Sequence, residues 1–188
     1  MVQVMSMLTY QIDERLSLRM FHVGDAQELF DLTMDSKEEL KEWLGWLDYI
    51  ETVDDTKQNI EARVKGMQET GGLPKSFALL YDNQIAGTIG YNDIDRGIRC
   101  GTVGYWLGRS YQGKGLMTRA LQTIVDYGFE SLQLDKIEIR VATDNVKSRA
   151  LPERLGFQQE GTLRQAEWLY DRYVDHVIYG LLREEWSR

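Results

Sequence analysis

The apolar positions of this chain change their period several times, and each change marks an element. Leu16, Leu18 and Met20 alternate with polar neighbours, so residues 16–21 are expected to form a first strand. Asp25 then reads as the cap of a helix carrying Leu29, Phe30 and Leu32, and a short second helix is expected over 38–44. Trp43, Trp46, Leu47 and Tyr49 crowd around its end, a grouping expected in a core or, alternatively, along a substrate cleft. Asp54 and Asp55 open a third helix with Ile60, Val64 and Met67 as its buried stripe, and Gly71-Gly72 followed by Pro74 stops it. The period then drops from helical to alternating. Residues 76–81, 85–94 and 100–107 read as an antiparallel meander with turns at Asp82-Asn83 and Asp95-Arg96-Gly97.

Past residue 115 the helical period returns, with Met117, Leu121, Ile124 and Val125 on one face. Residues 136–141 alternate cleanly as a strand. Strand–helix–strand order makes it parallel to the strand ending at Leu107. Asn145 caps a short helix that Gly156-Phe157 ends, and two last strands cover about 162–169 and 173–182. No repeat, linker or low-complexity tract appears, so residues 1–188 are expected to form one α+β domain. Its mixed, mostly antiparallel sheet should hold about seven strands with helices on its flanks.

Composition narrows the function classes. A chain of 188 residues with 43% hydrophobic and 28% charged residues is ordinary for a soluble globular protein, and no apolar run approaches a membrane span. The net charge of -8 argues against nucleic acid as the main partner and is compatible with a cationic amine. The single cysteine, Cys100, excludes an internal disulfide framework and a thiol-based metal site, which fits a reducing cytoplasm.

The most informative stretch follows Tyr105-Trp106-Leu107. A polar turn leads to Gln112-Gly113-Lys114-Gly115-Leu116-Met117 and into the helix. Free N–H groups and the positive end of the dipole make such a helix start an anion site. On its own the loop is equally well a connection that needs glycine. It is neither a Walker loop, lacking Gly-Lys-Ser/Thr, nor the three-glycine dinucleotide fingerprint.

These residues resemble the pyrophosphate-binding signature of the GNAT acetyltransferases, with Met117 in place of the final small residue. The branch related to the ribosomal-protein serine N-acetyltransferases tolerates that change and commonly has Tyr-Trp-Leu before the loop. Asn145 to Phe157 is similar to the family's second motif, and Gly161-Thr162-Leu163-Arg164, Asp175 and Glu184-Glu185-Trp186 resemble further elements of the same branch. The resemblance implies a GNAT fold with a splayed parallel strand pair holding acetyl-CoA. It implies acetyl transfer to a primary amine, most simply a protein N-terminal α-amino group, without a metal. Trp106, Leu107, Gln112, Gly113, Lys114, Gly115, Leu116, Met117, Asn145 and Ser148 are the cofactor-binding positions it carries over. The same resemblance implies a Leu107 backbone donor to the thioester carbonyl, and Ser148 as the acid for the departing thiolate.

Two departures matter. Pro152 stands where many GNAT enzymes have the tyrosine that protonates the thiolate, and Thr102 stands where many have a glutamate base. An α-amino group, with a reference pKa of about 7.7–8.0, needs less help from a base than a lysine or polyamine amine near about 10.4. Asp93, His22, Glu42 and Glu167 are the substitute bases to consider. The alternatives are a polyamine or small-molecule amine acceptor, or a catalytically weak acyl-CoA-binding module. Similar enzymes often form dimers, for which apolar surface near Trp43–Tyr49 or the last strands could serve.

Overall fold

The computed structural model describes residues 8–187. Its strands are β1 (Thr9–Gln11), β2 (Leu16–Met20), β3 (Ser76–Tyr81), β4 (Gln84–Asp95), β5 (Cys100–Leu107), β6 (Lys136–Ala142), β7 (Gln158–Leu169) and β8 (Arg172–Leu182). The helices are α1 (Ala26–Asp35), α2 (Lys37–Lys41), α3 (Val53–Lys65), α4 (Leu116–Glu130) and α5 (Val146–Arg154). The eight strands form one sheet in the order β1-β2-β3-β4-β5-β6-β8-β7. Every pairing is antiparallel except β5 with β6. The seven expected strands are all present as β2 to β8, and β1, whose three residues are too few to show a period, joins them at the edge.

Two apolar layers cover the sheet. On one face α4 buries Leu116, Met117, Leu121, Ile124 and Val125 against Leu18, Phe77, Val103 and Ile139, and Leu151 of α5 packs on the same cluster. Burying a large aliphatic side chain of this kind contributes about 1.5–3 kcal/mol. On the other face α1 and α3 pack Leu29 and Ile60 against Ala78, Ile85 and Trp106.

Three expectations change. Val64 is 39% exposed, because the buried face of α3 runs through Thr56 and Ile60 and the chain tightens into a 3-10 turn at Gly66–Thr70. Tyr49 is 79% exposed, while Leu47 beside it is fully buried, so the aromatic cluster divides between core and surface. Asp25 does not cap α1 through its side chain. Its buried carboxylate instead accepts from the His22 backbone at 2.9 Å and pairs with Arg19 at 2.8 Å. Among the described residues no helix is long and apolar enough to cross a membrane.

Candidate active site

The parallel pair is short. β5 and β6 are in register from Cys100↔Lys136 to Val103↔Ile139, and there the pairing ends. Beyond it β5 stays with β4 as far as Gly87↔Leu107, while β6 stays with β8 as far as Ala142↔His176. The two strands therefore splay, with 104–107 on one side and 140–142 on the other. Gly108 N donates to Ala86 O at 2.9 Å, which turns Gly108 and Trp106 toward β4. Strand alternation then turns the backbone groups of Tyr105 and Leu107 into the gap.

The glycine loop closes one end of the splay. Gly113 and Gly115 both take left-handed φ, +74° and +68°, with open space where a Cβ would stand. Gly115 is the N-cap of α4 and no side chain caps it. Among the described residues no hydrogen bond uses the N–H groups from Gly113 to Thr118. Leu116 and Met117 bury their side chains in the core and can reach a ligand only through those N–H groups. Burial also accounts for Met117 at the family's small position, since that side chain points away from the loop.

The loop is pinned from behind. Arg109 N donates to the buried Ser36 hydroxyl at 3.1 Å, and the Arg109 guanidinium forks onto Asp35 at 3.1 and 3.2 Å. Gln112 Nε2 reaches Glu39 at 3.5 Å. Lys114 donates to Ser110 O at 3.0 Å and lies 5.5 Å from the Tyr81 and Tyr111 ring centroids. A shallow acidic depression of about 320 Å³ beside Arg109 is lined by Asp35, Glu38 and Glu39, none of them on the splayed strands.

α5 closes the opposite side. Asn145 caps it, its Oδ1 accepting from Ser148 N at 3.1 Å, and this leaves the amide nitrogen available. The Ser148 hydroxyl makes no hydrogen bond among the described residues. The Ser148 carbonyl accepts from the Tyr105 hydroxyl at 3.1 Å, across the splay. Burial pushes the Tyr105 hydroxyl well above its usual pKa, so it stays a donor at neutral pH. Beneath the helix, Tyr179 accepts from Arg149 at 2.9 Å and donates to Glu153 at 2.6 Å, tying α5 to β8.

On the α3 side of the same strands lies a cleft of about 460 Å³. Gly104, Tyr105 and Trp106 of β5 and Thr88 to Asn92 of β4 form its floor; Leu44, Trp46 and α3 form its walls. Trp106 puts its indole here, 6.2 Å from Trp46, rather than toward the loop. Trp46 thus joins the second core and the cleft wall together.

The four candidate bases separate. His22 is held 3.1 Å from Asp25, at the start of α1. Asp93 pairs with Thr102 beside a register shift in β4, on the part of β5 that still pairs with β6 before the splay. The Glu42 side chain is exposed, and its backbone carbonyl takes Arg172 at 3.0 Å. Glu167 approaches the cleft wall from β7. It lies 3.2 Å from His176, the residue level with the last pair of β6, and its Oε1 packs against Gly45, next to Trp46. His176, Tyr105 and Arg63 were not legible as site residues from sequence. Among the described residues no group of three or more His, Cys, Asp or Glu side chains could hold a metal.

A family profile for the acetyltransferase (GNAT) domain matches residues 15–158. The chain belongs to the GNAT acetyltransferases. It is similar to YdaF of Bacillus subtilis (strain 168), 32% identical over 182 residues that cover 96% of this chain and 98% of that protein. It is also similar to the ribosomal-protein-serine acetyltransferase of Escherichia coli (strain K12), 30% identical over 91% of this chain and 94% of that protein. Among solved structures, a ribosomal L7/L12 α-N-protein acetyltransferase in complex with coenzyme A superposes with a TM-score of 0.89. That pair is 26% identical, covering 95% of this chain and 99% of the other. The likeness to the serine acetyltransferase branch, and the mixed sheet with one parallel pair, thus agree with the motifs.

Proposed function

We propose that this GNAT acetyltransferase moves the acetyl group of acetyl-CoA onto the α-amino group of a protein N-terminus. The observation that carries this is the splay with two different openings. One opening meets unpaired loop N–H groups, and the other meets an aromatic-walled cleft. On this reading Gln112, Gly113, Lys114, Gly115, Leu116 and Met117 hold the pyrophosphate, chiefly through backbone N–H groups. Asn145 and the gap-facing groups of Tyr105 and Leu107 take the pantetheine amides. Acetyl-CoA supplies an already activated thioester, so the protein's contribution is to orient the partners and handle protons and charge.

The neutral amine approaches from the cleft and forms the new C–N bond as the C–S bond breaks. The Leu107 N–H faces the carbonyl oxygen as it gains charge. The proton leaving the amine goes to Glu167, directly or through a water, with His176 holding the carboxylate. Ser148, its hydroxyl otherwise unengaged, hydrogen-bonds the departing thiolate and passes it a proton while taking one from water.

The protein-N-terminus reading is supported by relatives named as acting on ribosomal proteins and by the cleft's charge, where Arg63 and Lys75 outnumber Glu69. A polyamine would meet that surplus positive charge. A binding module without turnover would have no use for the Glu167–His176 pair. We place the protein in the cytoplasm, where such acceptors are made, and take residues 1–188 as one catalytic unit. The exposed Trp168–Tyr173 pair, 4.7 Å apart at the β7–β8 hairpin, supports self-association through that hairpin.

The deciding experiment is thiol release from acetyl-CoA with peptides of different N-termini, spermidine, an aminoglycoside and free amino acids. Turnover confined to the peptides is expected. Turnover only with small amines would replace the acceptor class.

A further inference from the structure

Helix α3 and its C-cap turn four positions at helical spacing toward the cleft: Asn59, Ala62 and Arg63 of the helix, and Gly66 just after it. Two of them are small, so Arg63 is the long side chain that this helix contributes. Its guanidinium lies over Phe21, the central carbon 5.1 Å from the ring centroid. Its Nε donates to Asn59 Oδ1 at 2.7 Å, which fixes the plane of the group. Both terminal nitrogens are left over. Among the described residues no carboxylate lies within ion-pair distance of Arg63, although most other arginines of this acidic chain have one. Glu69, the acid of the cleft, is already engaged with Lys75 at 3.0 Å.

The Arg63 guanidinium is half-buried and has no counter-charge, so its terminal nitrogens keep hydrogen-bonding capacity that an acceptor group can fill. Burial with no compensating acid lowers the Arg63 pKa, yet a guanidinium stays charged throughout the working pH range. The two free terminal nitrogens form a planar fork whose geometry suits both oxygens of a carboxylate. Ser76, Thr88 and Asn92 surround the same space with uncharged polar groups. Nothing else in the cleft competes for the fork.

Resting on the acetyl-transfer reading above, we propose that Arg63 is a specificity residue that grips a carboxylate of the acceptor. The preferred acceptors are then protein N-termini with an aspartate or glutamate within their first few residues. The amine enters at the splay between Tyr105 and Trp106, and the acidic side chain lies back along the cleft against α3. Lysine or arginine at the same acceptor position is disfavoured by repulsion.

The test is kcat/KM for thiol release with serine-initiated peptides carrying aspartate at the second, third or fourth position. Each is compared with its asparagine counterpart. At one of these positions the acid should exceed the amide by roughly tenfold, the effect of a charge-assisted pair. Arg63→Met keeps an unbranched side chain without the charge and should bring the ratio close to one, whereas Arg63→Lys should retain part of it. Equal efficiencies at all three positions in the wild type would overturn the proposal, as would a preference that survives Arg63→Met. Transfer to none of the peptides would instead overturn the N-terminal reading. Peptide affinity, read from Trp46 and Trp106 fluorescence, would then still decide: tighter binding of the acid that Arg63→Met abolishes supports the carboxylate grip, and equal binding refutes it.

Discussion

The Tyr105 hydroxyl donates 3.1 Å across the splay to the carbonyl of Ser148, the oxygen that Pro152, four residues further along α5, has no N–H to satisfy. A proline inside a helix normally leaves this carbonyl to water or strain. Here a side chain of β5 takes over the bond. One interaction thereby closes the gap between the splayed strands and seats the turn that carries Ser148.

Exchange of this kind is measurable as coupling. Tyr105→Phe should cost about 1 kcal/mol, the value of a hydrogen bond to a part-buried acceptor. In a Pro152→Ala background the restored N–H can serve the carbonyl, so the same substitution should cost distinctly less. Denaturant midpoints of the four proteins complete the cycle. Equal costs in both backgrounds would show that Tyr105 does not stand in for the missing N–H.

Ser148 and Glu167 should act on turnover rather than on cofactor affinity. Ser148→Ala and Glu167→Gln are each expected to lower kcat by on the order of 10²-fold, the lower range for a positioned acid or base. Acetyl-CoA affinity by calorimetry should stay near the wild-type value for both. Loss of affinity matching the loss of rate would assign them to binding instead.

Gly115 should behave in the opposite way. Its φ of +68° costs an L-residue about 1–2 kcal/mol, and a side chain would occupy the open space in front of the unpaired N–H groups. Gly115→Val is expected to raise the acetyl-CoA Kd tenfold or more (about 1.4 kcal/mol per decade). A smaller rise for Gly115→Ala would separate blockage from strain. Unchanged affinity in both would move the pyrophosphate away from this loop.

Alkaline pH should weaken the fold. Burial raises the hydroxyl pKa values of Tyr91, Tyr105 and Tyr127. A raised folded-state value means that the folded chain keeps protons which the unfolded chain releases above about pH 10. Stability is therefore full below that pH and falls as pH rises toward the folded values. Denaturant midpoints should drop above about pH 10, with tyrosinate absorbance of these residues appearing together with unfolding. Tyr91→Phe should make the drop shallower, although it gives up the 2.8 Å bond to Ile124 O. A flat profile through that range would show that these hydroxyls ionise in the folded state.

The elements and the loop were legible in the sequence because local rules encode them. Alternation marked β3 to β6, helical spacing marked α4, and the glycine pair marked the turn into it. Asn145 was readable as a cap from its type and place alone, and the structure uses it as one. Local rules are short-ranged, however. They do not reveal that Val64 lies outside the buried face of α3, or that Asp25 serves Arg19 and His22 rather than the start of α1.

What the sequence by itself determined is the order of the elements from β2 onward, the glycine-led start of α4 and the family motifs, each of which lies within a few consecutive residues. Tertiary structure alone decided which groups meet across the chain. It brought Tyr105 to the Ser148 carbonyl, set Glu167 between His176 and Gly45, and left Arg63 without an ion-pair partner in a cleft whose acid, Glu69, is taken by Lys75. The physical reason is that hydrogen bonds, ion pairs and desolvation depend on distance in space. That distance exists only once β5 and β6 have parted and α3 and α5 have packed on opposite faces of the sheet.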